Sequence, residues 1–270
     1  MVIFVQEDDL MVEDAVKLVE EANRRGVYLR LMGAIGIMLN ALRYKDLFLK
    51  LNRLDSERKF TDIDLAAYSS QRSDVRKILE AHGFKVDGHF LLLHGNARMI
   101  FYHSEKKHVM DVFFDKLSFC HDVNFGSNPK KGRLHLNPIT LTPTDLALEK
   151  LQIHEINEKD IKDLILLFAA NEVGDTDAFG VINGKYIAEI LSDDWEFWYE
   201  VNLNLKKVLS FMQKYSQEKL ISVTVQNAVS NRIETLIKMI DEAPKTKNWE
   251  KRSRVGPNKK WWRDVEERVR

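Results

Sequence analysis

Apolar and polar positions alternate with two different periods along this chain, and the change of period near residue 140 divides it. Before that point short strand-like runs mix with helices. Leu10, Val12, Ala15, Val16, Leu18 and Val19 form a broad helical face over residues 9–25, and Gly26 stands where a C-cap belongs. Residues 27–32 read as a strand. Gly33-Ala34-Ile35-Gly36 reads as a turn into a helix reaching residue 51. Residues 60–68 alternate as a second strand, 73–82 as a helix, and strand-like segments recur at 84–86, 90–94, 98–102 and 109–114. Strands joined sometimes by helices and sometimes by short turns predict a mixed sheet in an α+β layer.

After a loop rich in Asn, Gly, Ser and Pro (124–138), the pattern is helical throughout. Pro143-Thr144-Asp145 marks a helix start, and further helices are expected over 158–170, 181–191, 193–215 and 223–240. The expected organisation is an α+β domain over 1–140 and an all-helical domain over 141–270 with a basic, tryptophan-containing tail and a short charged terminal helix. In that tail Lys245, Lys247, Lys251, Arg252, Arg254, Lys259, Lys260 and Arg263 interleave with Trp249, Trp261 and Trp262. Such a surface either stacks RNA bases or docks onto the body through its tryptophans, and docking is favoured because exposed tryptophans lower solubility.

The chemistry sits in the alternating segment. In Phe60-Thr61-Asp62-Ile63-Asp64-Leu65, side chains two apart share a face, so Asp62 and Asp64 point the same way. Two carboxylates a pleat apart repel unless they are solvated or share a cation. Asp111, in His108-Val109-Met110-Asp111-Val112-Phe113, offers a third carboxylate in apolar surroundings. Three such acids on neighbouring strands make a Mg²⁺ site for phosphoryl transfer. The alternative is that the pair marks a strand end and Asp111 faces solvent.

Composition narrows the class. The 270 residues carry 41 basic and 41 acidic side chains, so no global charge points to nucleic acid or to an anionic membrane. The single cysteine, Cys120, excludes an internal disulfide framework and fits a reducing compartment. The first nine residues lack the basic flank of a secretory signal, and no segment has the ~18 continuous apolar residues of a membrane span. A cytoplasmic protein that does not engage membrane is expected.

The ordered set of strand, glycine turn, helix and Asp-x-Asp strand resembles the nucleotidyltransferase superfamily, and within it the AbiEii-like branch of type IV toxin–antitoxin toxins. The matching segments are Leu31-Met32-Gly33-Ala34-Ile35-Gly36, Arg58-Lys59-Phe60-Thr61-Asp62-Ile63-Asp64-Leu65, the strand of Asp111, Leu146-Ala147-Leu148-Glu149-Lys150-Leu151 and Glu158-Lys159-Asp160-Ile161-Lys162-Asp163-Leu164. The resemblance implies Mg²⁺-dependent transfer of a nucleoside monophosphate from an NTP to a hydroxyl acceptor, an RNA 3′ end or a protein. It implies Asp62, Asp64 and Asp111 as metal ligands and catalytic groups, and Lys150 paired with the triphosphate. Gly33, Ala34, Arg58, Asp160 and Asp163 would line the nucleotide, and an antitoxin partner is implied. Ala34 stands where the family carries Ser or Gly, which removes a hydroxyl contact. A rival reading is therefore a catalytically degenerate module that binds nucleotide, RNA or a partner protein.

Overall fold

Two strands far apart in sequence, Ile63–Ala67 and His108–Phe114, run parallel and side by side in the first of the chain's two units. The computed structural model describes residues 6–54, 56, 58–103, 105–106 and 108–265. In chain order the elements are α1 (Gln6–Arg24), β1 (Leu29–Leu31), α2 (Gly33–Leu39), α3 (Lys45–Leu51), β2 (Ile63–Ala67), α4 (Arg72–Ala81), β3 (Lys85–Val86), α5 (Gly88–His94), β4 (Arg98–His103) and β5 (His108–Phe114). They continue as β6 (Lys116–Ser118), β7 (Asp122–Asn124), α6 (Pro143–Leu151), α7 (Glu158–Ala170), β8 (Glu172–Gly174), β9 (Val181–Asn183), α8 (Gly184–Leu191), α9 (Trp195–Gln217), α10 (Val223–Glu242) and α11 (Lys247–Ser253). One unit comprises Met1–Leu39, Leu54–Leu117 and Asn124–Thr142; the other comprises Asn40–Arg53, Ser118–Val123 and Pro143–Arg270. The helical unit thus takes in two segments of the first half.

The α+β class holds. In the first unit a five-stranded sheet has the order β1-β2-β5-β4-β3, with β2 and β5 parallel and the other pairs antiparallel. Alternation explains its two faces. One carries Ile63, Leu65, Ala67, Met110, Val112, Phe114, Met99 and Phe101, all buried, as period-two patterning requires of a core face. The other carries Asp64, Asp111 and Arg98, with α2 and α5 lying against it. Two expectations are corrected. Residues 90–94 are not a strand but belong to α5, because Asp87 caps that helix by accepting the Phe90 N–H at 2.9 Å, and leucines at 91–93 favour a helix once it is capped. The segment read as a turn at Gly33–Gly36 already belongs to α2, and the helix expected to run on to residue 51 breaks after Leu39, followed by a 3₁₀ turn (Leu42–Tyr44) and α3. The break coincides with the change of unit: Arg43 donates to the Ala170 carbonyl, which holds this segment within the helical unit.

In the helical unit α6 and α7 are buried almost along their whole lengths. Their neighbours start where the sequence supplies a side-chain acceptor: Asn157 caps α7, Asn183 caps α8, Asp194 caps α9, Ser222 caps α10 and Thr246 caps α11. The all-helical expectation is corrected. β8 and β9 pair in parallel with Val173 beside Ile182, so the helix expected from residue 181 starts only at Gly184. No helix among the described residues is long and apolar enough to cross a membrane. Residues 264–265, at the start of the expected terminal helix, are not helical, and 266–270 lie outside the described residues, as does most of the segment read for a secretory signal.

Candidate functional site

The register of the central strands brings the acids together. Asp64 on β2 pairs with Asp111 on β5 as direct neighbours in a parallel ladder, so both side chains leave the same face. The two residues lie 47 apart in sequence. Asp62 sits just before β2 starts, half-exposed, and accepts the Thr61 hydroxyl at 2.8 Å. Its approach is anchored from α1, where the buried Asp8 accepts the Lys59 backbone N–H at 2.8 Å. Arg58 is exposed and lies 3.9 Å from Glu7, so its nearest charge partner is on α1.

Gly33 opens α2 directly after β1, and its identity is dictated twice. Its φ of +61° is costly for any residue with a Cβ, and a Cβ there would lie 2.5 Å from Asp64 Oδ2. The turn and the acid strand are therefore in contact: Met32 N–H donates to the Asp64 carbonyl at 2.9 Å. Ala34 follows inside the helix.

Asp111 is engaged from the neighbouring strand. Arg98, on the antiparallel neighbour β4, donates Nε to Asp111 Oδ1 at 2.7 Å and a terminal N–H to Oδ2. The Asp111 side chain is 1% exposed, whereas that of Arg98 is 26% exposed. The guanidinium lies 4.7 Å from the Phe113 ring centre and 5.5 Å from that of Phe90 on α5. A signal existed in the hairpin: pairing His103 with His108 puts Arg98 opposite Phe113, diagonal to Asp111 on one face. Gly95 is the C-cap of α5, just ahead of β4.

Among the described residues no group of three or more His, Cys, Asp or Glu side chains is gathered to hold a metal ion. The backbone register makes Asp64 and Asp111 neighbouring oxygen donors, the donor type that hard divalent cations take, and Arg98 engages both oxygens of Asp111.

The second constellation lies in the helical unit. Lys150 of α6 is buried (side chain 7% exposed), with Nζ 2.8 Å from Asp160 Oδ1, 3.1 Å from Asp163 Oδ2 and 3.8 Å from Glu149. Arg53 donates Nε to both Asp163 oxygens at 2.8 and 3.0 Å. The spacing of Asp160 and Asp163 on α7 puts both on one helix face, aimed at Lys150. Burial pulls the Lys150 ammonium down, but the Asp160, Asp163 and Glu149 carboxylates outweigh it and leave it above the usual lysine range. Burial pushes the Asp160 carboxyl up, and Lys150 more than reverses this. The structure thus gathers Lys150, Asp160 and Asp163 as a buried ion network, to which Arg53 and Glu149 are additions that no local pattern announces.

The tail docks. Trp261 Nε1 donates to the buried Glu200 at 2.7 Å, and Trp262 stacks on His154 at 3.7 Å and 12°. Trp249 meets Trp198 edge-on, and Arg263 Nε donates to the Phe119 carbonyl at 3.0 Å. These rings are engaged with the helical unit, which is the docking alternative. Cys120 is half-buried and its Sγ accepts the His154 N–H at 3.4 Å.

Comparison with protein-family models, with curated proteins and with solved structures returned no match.

Proposed function

We propose that the sheet unit is a Mg²⁺-dependent nucleotidyltransferase that moves a nucleoside monophosphate from an NTP to a hydroxyl acceptor on RNA or protein. The observation that carries this reading is the in-register pairing of Asp64 with Asp111 beside the Gly33 turn. When bound, the ion would neutralise charge on the triphosphate and its leaving pyrophosphate. Asp62, Asp64 and Asp111 are the residues that would hold it. Gly33, lacking a side chain, lets the start of α2 lie directly against the Asp64 carboxylate. In the helical unit Asp160 and Asp163 would position Lys150, which both contact. The partners of this reading are the NTP, the hydroxyl acceptor and an antitoxin.

The test is labelling with each of four α-³²P NTPs in Mg²⁺, with RNA and protein acceptors present. Wild-type protein transfers label and releases pyrophosphate, and Asp64→Asn does neither while its circular dichroism is unchanged. Equal labelling by both proteins removes the acids from the mechanism. A second reading, the degenerate module, draws on the Arg98 fork that neutralises Asp111 and on Ala34 at the turn. It predicts Mg²⁺-dependent nucleotide binding with no pyrophosphate released.

A further inference from the structure

Arg98 stands between the two readings, because its fork engages the carboxylate that the active site needs. We propose that Arg98 is a phosphate-positioning residue held in reserve by Asp111: it leaves the carboxylate for the triphosphate of the nucleotide when Asp111 turns to a divalent cation. The inference rests on the nucleotidyltransferase reading and deepens it by naming the residue that senses whether cation and nucleotide are both present.

Four observations carry it. Both Asp111 oxygens accept from Arg98, so a cation that coordinates Asp111 competes with the guanidinium for the same two oxygens. Asp111 is buried against a guanidinium, and exchanging one cationic group for another keeps a cation beside it at every stage. The guanidinium is on the exposed side of the pair, at 26% against 1%, so a ligand reaches it without opening the sheet. Finally, the Phe113 and Phe90 rings hold the guanidinium beside the Asp64–Asp111 pair by contacts that do not involve Asp111. A planar fork that matches a carboxylate bidentately matches a phosphate equally well, which a lysine does not.

The exchange predicts effects of opposite sign from one substitution. Arg98→Met removes the competitor for Asp111 and the contact to phosphate together. Mn²⁺ binding to the full-length protein without nucleotide, followed by electron paramagnetic resonance, tightens about 10-fold, and binding of the nucleotide in saturating Mn²⁺ weakens about 10-fold, the worth of one charged hydrogen bond. A merely structural arginine moves both in the same direction or neither. Arg98→Lys keeps the charge without the fork, shows the same two signs at smaller size, and serves where Arg98→Met does not fold. Asp64→Asn separates the two layers of the argument. If wild type binds neither Mn²⁺ nor any of ATP, CTP, GTP and UTP in a manner that Asp64→Asn abolishes, the nucleotidyltransferase reading falls and this inference with it. If wild type binds both and Asp64→Asn abolishes it, but Arg98→Met weakens both or changes neither, only the exchange is overturned.

Discussion

Replacing Lys150 with methionine separates a buried strut from a substrate-binding lysine. Methionine nearly matches the lysine stem in volume, so packing is kept and the ammonium alone is lost. Three carboxylates surround that ammonium, and all are buried. Breaking a buried pair by removing one partner costs about 3–5 kcal/mol, because the other charge is left uncompensated. Two features pull the value toward the lower end. Arg53 still grips Asp163 through both oxygens. Asp160 lies in the first turn of α7, where the helix dipole favours an anion by about 0.3–1 kcal/mol. We expect a loss of about 3 kcal/mol and a fall of roughly 6–12 °C in the melting temperature.

The assay is specific to the helical unit, because all five tryptophans of the chain belong to it. Tryptophan emission during urea unfolding follows that unit, while far-ultraviolet circular dichroism follows both. The pH dependence supplies a second readout. In the wild type Asp160 is held below its usual 3.8, so its contribution is present above that value and lost as pH falls through the lower folded one. Without Lys150, burial is opposed only by the weaker pulls of Lys159 and Arg53, so the Asp160 carboxyl rises and the variant regains stability relative to wild type as the solution is acidified. Adding Asp160→Asn to Lys150→Met recovers part of the loss, with a coupling of about 1–3 kcal/mol. A loss below about 1 kcal/mol at neutral pH, the range of exposed pairs, would refute the reasoning. Lost nucleotide binding with unchanged stability would make Lys150 a phosphate ligand instead.

Gly33→Ala is expected to cost about 2 kcal/mol or more in urea unfolding, from the left-handed backbone and the displaced Asp64 carboxylate; a loss within about 0.5 kcal/mol would contradict their close approach. Acidification is expected to release the tail. Burial pushes Glu200 up, but His121 at 4.0 Å and the hydrogen bonds from His154 and Trp261 hold it below the usual 4.5. Its contribution is therefore present above 4.5 and lost as pH falls through the folded value, read as a red shift in tryptophan emission. Glu200→Gln is expected to show weakened docking already at neutral pH and a flattened acid response; an acid transition identical to wild type would remove Glu200 from the anchor.

What the sequence discloses and what it hides divide along a physical line. Elements with strong local grammar are legible: Glu158–Ala170 announces itself through Asn157, its apolar period and its charged first turn, the Asp64 strand through alternation, and the Asp111 strand as a short apolar run holding one acid. Parity is legible too, since a period of two puts Asp64 on one face without knowledge of its partner. Partner identity is not, because it depends on register between segments that share no local signal. The Asp64–Asp111 neighbourhood is one of two readings the residues leave open, and the family resemblance favours it, whereas the Arg98 fork needs the correct hairpin pairing. Arg53 is the extreme case: it lies 110 residues from Asp163 and just beyond a short helix drawn into the other unit. The same distinction explains why the tail read ambiguously. Basic residues and tryptophans in alternation describe an RNA surface and a docked strap equally well, and only the positions of Glu200 and His154, set by the fold of the helical unit, decide for the strap. Local patterns thus name the residues that do chemistry, while the groups that hold those residues at a given charge and angle are supplied from elsewhere in the chain.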